Sequence, residues 1–247
     1  MKPRDHIRKL ESRQLQPSGR EEQFRGYGVI GLCFDSGHIL ALRRFPSSSI
    51  GPAYTAVWHR DPQGCWRFYA NASPRMACAR YFGAGIHSAT ETPIDLEWLK
   101  ANVLRVTIAQ IGLVWEMKIK STFQTVLMNA VAAMLPKSWW SNAVFLKYVA
   151  RIASFVLGIG EVALQGRVPN RQRFRVQLES VWMLAGSRAQ LRTVDLGKTV
   201  PHTIQTRLGD FRILRKPVFA IGQSYFDPYD PAEHFGLSHQ PYSAEFA

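Results

Sequence analysis

Acidic residues are scarce in this chain: eighteen Asp and Glu stand against thirty-one Lys and Arg in 247 residues, a formal charge of +13. That basic excess needs a physical reason. Cysteine is scarce too. Cys33, Cys65 and Cys78 are odd in number and lack C-x-x-C spacing, which excludes a disulfide framework and points to packed thiols in a reducing, cytoplasmic compartment. No stretch reaches the roughly 18 uninterrupted apolar residues of a helical membrane span. The first twenty-five residues lack the apolar centre of a secretory signal.

The common catalytic templates are missing as well. There is no G-x-S-x-G, P-loop or H-E-x-x-H, and the seven histidines are scattered away from one another and from the cysteines, so no metal or cofactor is expected. A triad assembled from distant residues stays open, because it is recognised by geometry. Gly26-x-Gly28-x-x-Gly31 matches a dinucleotide fingerprint in letters only. A polar arm precedes it and a strand with a hairpin turn follows, leaving no helix N-terminus for a pyrophosphate; close backbone approach or a bulge in a curved strand accounts for the glycines better.

What is present is a core-forming body, 46% hydrophobic. Residues 1–25 carry seven basic and four acidic residues and are expected to be a disordered basic arm, while residues 227–247 carry four acidic residues and no basic ones and form an acidic tail. The folded body, 26–226, therefore holds +14, mostly as arginine, which favours planar contact with phosphate or carboxylate.

Within the body, runs rich in Val, Ile, Phe, Tyr and Trp recur between turn residues, the pattern of an antiparallel all-β domain of eleven or twelve strands. Tyr27 to Phe34 and His38 to Phe45 form one hairpin, and Tyr54 to His59 and Cys65 to Ala70 another, turning at Asp61-Pro62-Gln63-Gly64. Ile94, Leu96 and Trp98, then Leu104, Val106 and Ile108, then Trp115, Met117 and Ile119 alternate with polar residues as half-buried strands. Antiparallel pairing would set Asp95 or Glu97 beside Arg105 and Arg105 beside Glu116. Further strands are expected at Glu161 to Val168, Arg171 to Met183, Asp210 to Leu214 and Val218 to Phe226. The fold class is mainly β: a meander curled into a lipocalin-like barrel or bent sandwich, since so long a meander must protect its edges.

Between residues 122 and 157 the period changes to that of helices. One run ends at Pro136 and a second is capped by Ser141. This two-helix insertion is apolar enough to pack on the sheet, to lid an apolar pocket or to lie on a membrane surface.

The densest functional candidates follow the second hairpin. Tyr54, Trp58, Trp66, Arg80 and Tyr81 have the aromatic and polar character that lines a ligand site, and His59, Tyr69 and Asp210 are candidates for acid–base chemistry. The plainer reading makes the aromatics core, His59 a surface residue beside a turn, and Asp210 a partner of Arg207 or Arg212. Arg167, Arg171, Arg173 and Arg175 surround Phe174 on another hairpin. Phe174 alternates inward, away from the basic face, so nucleic acid is disfavoured against a solvated face or one that meets anionic lipid.

The run from Tyr54 to Gly83 (YTAVWHRDPQGCWRFYANASPRMACARYFG) and the ending Leu208 to Phe226 (LGDFRILRKPVFAIGQSYF) resemble a group of uncharacterised bacterial β-rich proteins. At the level of pattern the chain is also similar to lipocalin-like proteins of the hydroxyneurosporene synthase type. That resemblance implies a β-barrel with an apolar lumen and hydration, cyclisation or isomerisation of a terpenoid or polyketide. The expected function is intracellular binding of a hydrophobic or amphipathic small molecule in the lumen, with or without cofactor-free acid–base chemistry. The competing expectation is a peripheral membrane or interaction protein that uses the Arg-rich face and the apolar helices.

Overall fold

The computed structural model describes residues 3–12, 16–17 and 19–234. Strands β1 (Glu22–Phe34) and β2 (Ile39–Ser48) form the first hairpin, and β3 (Tyr54–Arg60) and β4 (Trp66–Ala70) the second. A short β5 (Ser88–Glu91) runs parallel to β4. The alternating segments become β6 (Asp95–Lys100), β7 (Val103–Ile108) and β8 (Leu113–Lys120). Their register places Arg105 within 3.5 Å of Glu97 and 2.6 Å of Glu116, the cross-strand pairs that alternation requires.

After short β9 (Gln165–Arg167), the 19-residue β10 (Arg173–Leu191) crosses the middle of the sheet. Two-residue strands β11 (Val194–Asp195) and β12 (Thr199–Val200) pair with β10 and β1, and β13 (Arg207–Leu208) with β14 (Phe211–Arg212) makes a separate hairpin. Strand β15 (Val218–Phe226) lies between β1 and β10. The main path runs β5-β4-β3-β2-β1-β15-β10-β8-β7-β6, antiparallel except at β4–β5. The strands expected over Glu161 to Val168 and Asp210 to Leu214 thus contract to β9 and β14.

One hydrophobic cluster joins Leu42 and Val57 from one flank of this path to Leu104 and Trp115 from the other, so the sheet curls about it into a half-barrel. Bulges help it bend. Register shifts interrupt β1 opposite β2 around Gly26 and between Val29 and Leu32. A Cβ on Gly26 or Gly28 would overlap the carbonyl oxygen of Arg44 or Leu42, so both glycines serve close strand approach.

The segment expected as a disordered arm contains helix α1 (Pro3–Glu11). Ile7 and Leu10 enter the concave cluster, His6 sits edge-on to Trp182, and Glu11 accepts a 2.8 Å hydrogen bond from the Tyr27 hydroxyl. Two well-placed apolar side chains and one carboxylate suffice to dock it, despite its polar composition. Of the acidic tail, residues 235–247 lie outside the described residues.

The helical insertion forms α3 (Phe123–Met134) and α4 (Ala143–Leu157), with a one-turn α2 (Ala79–Phe82) earlier in the chain. Thr122 and Thr125 cap α3 reciprocally; Asn142, rather than Ser141, caps α4 through the N–H groups of Val144 and Phe145. Helix α3 covers β10 where β8 has ended. There the Asn129 side chain both donates to the carbonyl and accepts from the N–H of Val181, standing in for a strand. No helix among the described residues is long and apolar enough to cross a membrane.

Candidate functional site

Two adjoining cavities lie on the face of the sheet opposite the concave cluster. The larger, about 310 Å³, is enclosed by α3, α4, β10 and β15 and lined by Met128, Leu164, Val176, Leu178, Val181 and Leu214 among others. Its walls are almost wholly apolar. The amphipathic pattern explains why: Leu146, Ala150, Ala153 and Leu157 of α4 turn inward, but Asn129 ties α3 to the sheet edge and the two helices do not close over the space between them. Leu127, Val131 and Ile152 line the cavity and are also about half exposed, so its mouth opens between the helices.

That mouth lies in an apolar surface. Phe123, Met134 and Phe155 are 81%, 85% and 89% exposed, with Val126, Trp139, Val144 and Tyr148 around them. From residue 117 to 160 the chain carries five basic residues, Lys118, Lys120, Lys137, Lys147 and Arg151, and no acidic one. A more polar cleft of about 370 Å³ lies on the other side of Val156 and Leu157, lined by Lys120, Lys216 and Thr199, and brings no acid–base pair together.

The smaller cavity, about 50 Å³, shares Val176 and Phe211 with the larger one. Phe24, Phe45, Tyr54, Trp58, Tyr81 and Phe226 surround it, together with Arg43 and Cys78. Phe24 meets Tyr54, Tyr81 and Phe226 edge-on, and Tyr81 stacks on Phe226 at 3.9 Å. The Tyr54 hydroxyl lies 3.4 Å from the Cys78 sulfur, and burial pushes both groups up, so both are neutral at physiological pH. Glu22 closes the outer side, accepting from Arg80 at 2.6 Å, from the Tyr81 hydroxyl at 2.5 Å and from Gln172 at 3.3 Å.

Three of the expected ligand-binding residues, Tyr54, Trp58 and Tyr81, therefore line one cavity. Trp66 is buried nearby against Phe68, and Arg80 stands at the rim, paired with Glu22. The expected acid–base residues do not converge. His59 and Tyr69 are buried on the other face, with Tyr69 in the concave cluster. Asp210 sits in the exposed β13–β14 turn and accepts from the Arg167 N–H at 2.8 Å; its near neighbour is thus a backbone group rather than Arg207 or Arg212. His59 is 2.9 Å from His38 through ring nitrogens; burial, helped by the charges of His38 and Arg67, pulls its pKa down to about 4. It is a neutral imidazole across physiological pH.

Arg43 is the member of the site that sequence reading passed over. In Ile39-Leu40-Ala41-Leu42-Arg43-Arg44-Phe45, alternation puts Arg43 on the face of Ile39, Ala41 and Phe45, a signal that was there to be read. Among the described residues no three His, Cys, Asp or Glu side chains gather as metal ligands.

The fold and these cavities define the chain as a curled antiparallel half-barrel with an apolar chamber beneath a helical cover. No protein-family model matches it, and no curated protein does. Among solved structures, it is similar to the crystal structure of acetoacetate decarboxylase from Legionella pneumophila subsp. pneumophila str. Philadelphia 1. The identity is 12% and the TM-score 0.41, over 89% of this chain and 88% of that one.

Proposed function

We propose that the protein binds a hydrophobic small molecule in the chamber between the helical pair and the sheet. The observation that carries this reading is the 310 Å³ apolar cavity with its mouth at an exposed apolar surface, at the lower end of the roughly 300–1,000 Å³ range of ligand sites. The concave side, where a lumen ligand was expected, is filled by side chains such as Leu42, Leu104 and Trp115. The charged residues in the chamber's lining, Glu179 and Arg212, are paired with Arg25 and Glu161, so the support favours binding over catalysis. Fluorescence titration with the apolar probe N-phenyl-1-naphthylamine tests it. The wild type takes up the probe, and Ala153→Phe, which projects a ring into the chamber from a buried position on α4, does not. Equal uptake by the two proteins would refute the chamber as the site.

A second reading has its own observation. The apolar outer face of α3 and α4, accompanied only by positive charge, fits the surface of an anionic bilayer. The two readings are compatible, because the chamber mouth opens on that same face and a ligand would enter it from the lipid. Sedimentation with anionic and neutral vesicles tests this reading: salt-sensitive binding to the anionic ones supports it, and no binding to either rejects it.

A further inference from the structure

Arg43 is only 8% exposed, yet no ion pair among the described residues includes it. Among the described residues its hydrogen bonds go to carbonyl oxygens. Nη1 donates to Val29 and Leu42, and Nη2 makes a long 3.4 Å contact with Ile30. Val29 and Ile30 lie at the start of the register shift between β1 and β2, so this edge of the guanidinium is spent on carbonyl groups at the bulge. The guanidinium carbon lies 4.6 Å from the centre of the Trp58 ring, whose buried Nε1–H has no well-aligned acceptor and only the weakly accepting Cys78 sulfur near it. Native structures rarely leave buried donors unpaired, and rarely bury a charge without a counter-charge.

Both groups line the 50 Å³ cavity, which holds more than the roughly 10–15 Å³ needed for one water centre. The positive charge is real. Burial pulls the Arg43 pKa down only to about 10, and the neighbouring Tyr54 and Cys78 are neutral. Phe211 and Val176 form the wall shared with the apolar chamber, and the guanidinium carbon lies 5.3 Å from the Phe211 ring. A recess holding a buried cation thus shares a wall with the apolar chamber.

We infer that the chamber's ligand is a single-chain amphiphile ending in a carboxylate, its tail between the helices and the sheet and its head group received by Arg43 and Trp58 Nε1. This rests on the ligand reading above and adds the head group to it. A carboxylate brings the one negative charge that one guanidinium balances and matches its planar fork. A phosphate monoester brings about −1.5 to −2 and three more strongly accepting oxygens, which this recess does not supply with donors.

The test is calorimetric titration at pH 7.5 with decanoate, methyl decanoate and 1-decanol, which share a tail and differ in the head. Wild-type protein binds decanoate at least tenfold more tightly than the two neutral probes. Arg43→Met removes that preference, and Arg43→Lys, which keeps charge without the fork, restores part of it. Equal binding of all three probes to the wild type, or an intact preference in Arg43→Met, overturns the head-group assignment and leaves the apolar chamber standing. Binding of none of them overturns both. Should the Met variant fail to fold for want of the bulge contacts, the wild-type series decides alone.

Discussion

Acid sensitivity should originate in the buried histidine pair. His59 ionises near pH 4 in the folded chain against about 6.5 when unfolded. Between those values the unfolded state binds more protons, so stability is intact above pH 6.5 and falls as pH drops. Integrating the linkage relation for this one group gives a loss of about 1 kcal/mol at pH 5.5 and about 3 kcal/mol at pH 4, relative to pH 7.5. His59 is 5% exposed, so solvent screening takes little from that figure. Substituting His59→Gln removes the titration and keeps a hydrogen-bonding group facing His38. Urea unfolding of both proteins at pH 7.5, 5.5 and 4.5 measures the difference. The wild type should lose about 1 kcal/mol more than the variant by pH 5.5, with unchanged m-values. Parallel pH dependence in the two proteins would refute the reasoning, since His59 would then ionise alike in both states.

Other perturbations address the remaining parts of the structure. Phe155→Asp on the exposed face of α4 should leave the unfolding midpoint within about 0.5 kcal/mol of wild type and weaken sedimentation with anionic vesicles severalfold; unchanged sedimentation would remove α4 from any membrane contact. Glu22→Gln deprives Arg80 and Tyr81 of their shared carboxylate and should cost about 2 kcal/mol in chemical denaturation; a neutral result would mean that water already satisfies both partners. Gly28→Ala forces a methyl group against the Leu42 carbonyl and should destabilise by more than about 1 kcal/mol, the usual scale of overpacking, read as a lowered melting temperature.

Local periodicity made the meander legible. Strands β6 to β8 are half-buried, so polar and apolar residues alternate cleanly, and even the Arg105 charge pairs follow from that alternation. The helices declared themselves through the change of period after Ser121 and the stop at Pro136. What stayed hidden depends on packing between distant segments. Helix α1 docks through Ile7 and Leu10, which with Pro3 follow the i, i+4, i+7 spacing of one helix face, a signal outweighed by the charged residues around them. The position of the chamber follows from β8 ending at Lys120 while β10 continues, leaving an edge for Asn129 to cover. The hairpin aromatics Tyr54, Trp58 and Tyr81 were legible as a group because residue type alone marks them, whereas Arg43 looked like one more of twenty-two arginines until its partners were known.

The location of the bound apolar molecule is the point on which the account turns. Anomalous diffraction from crystals soaked with 1-bromodecane reads it directly. The account predicts density within the chamber walled by Met128, Leu164, Val176 and Val181, with bromine marking one end of the chain. Bromine found only on the outer face beside Phe123 and Phe155, with no density in the chamber, would contradict it.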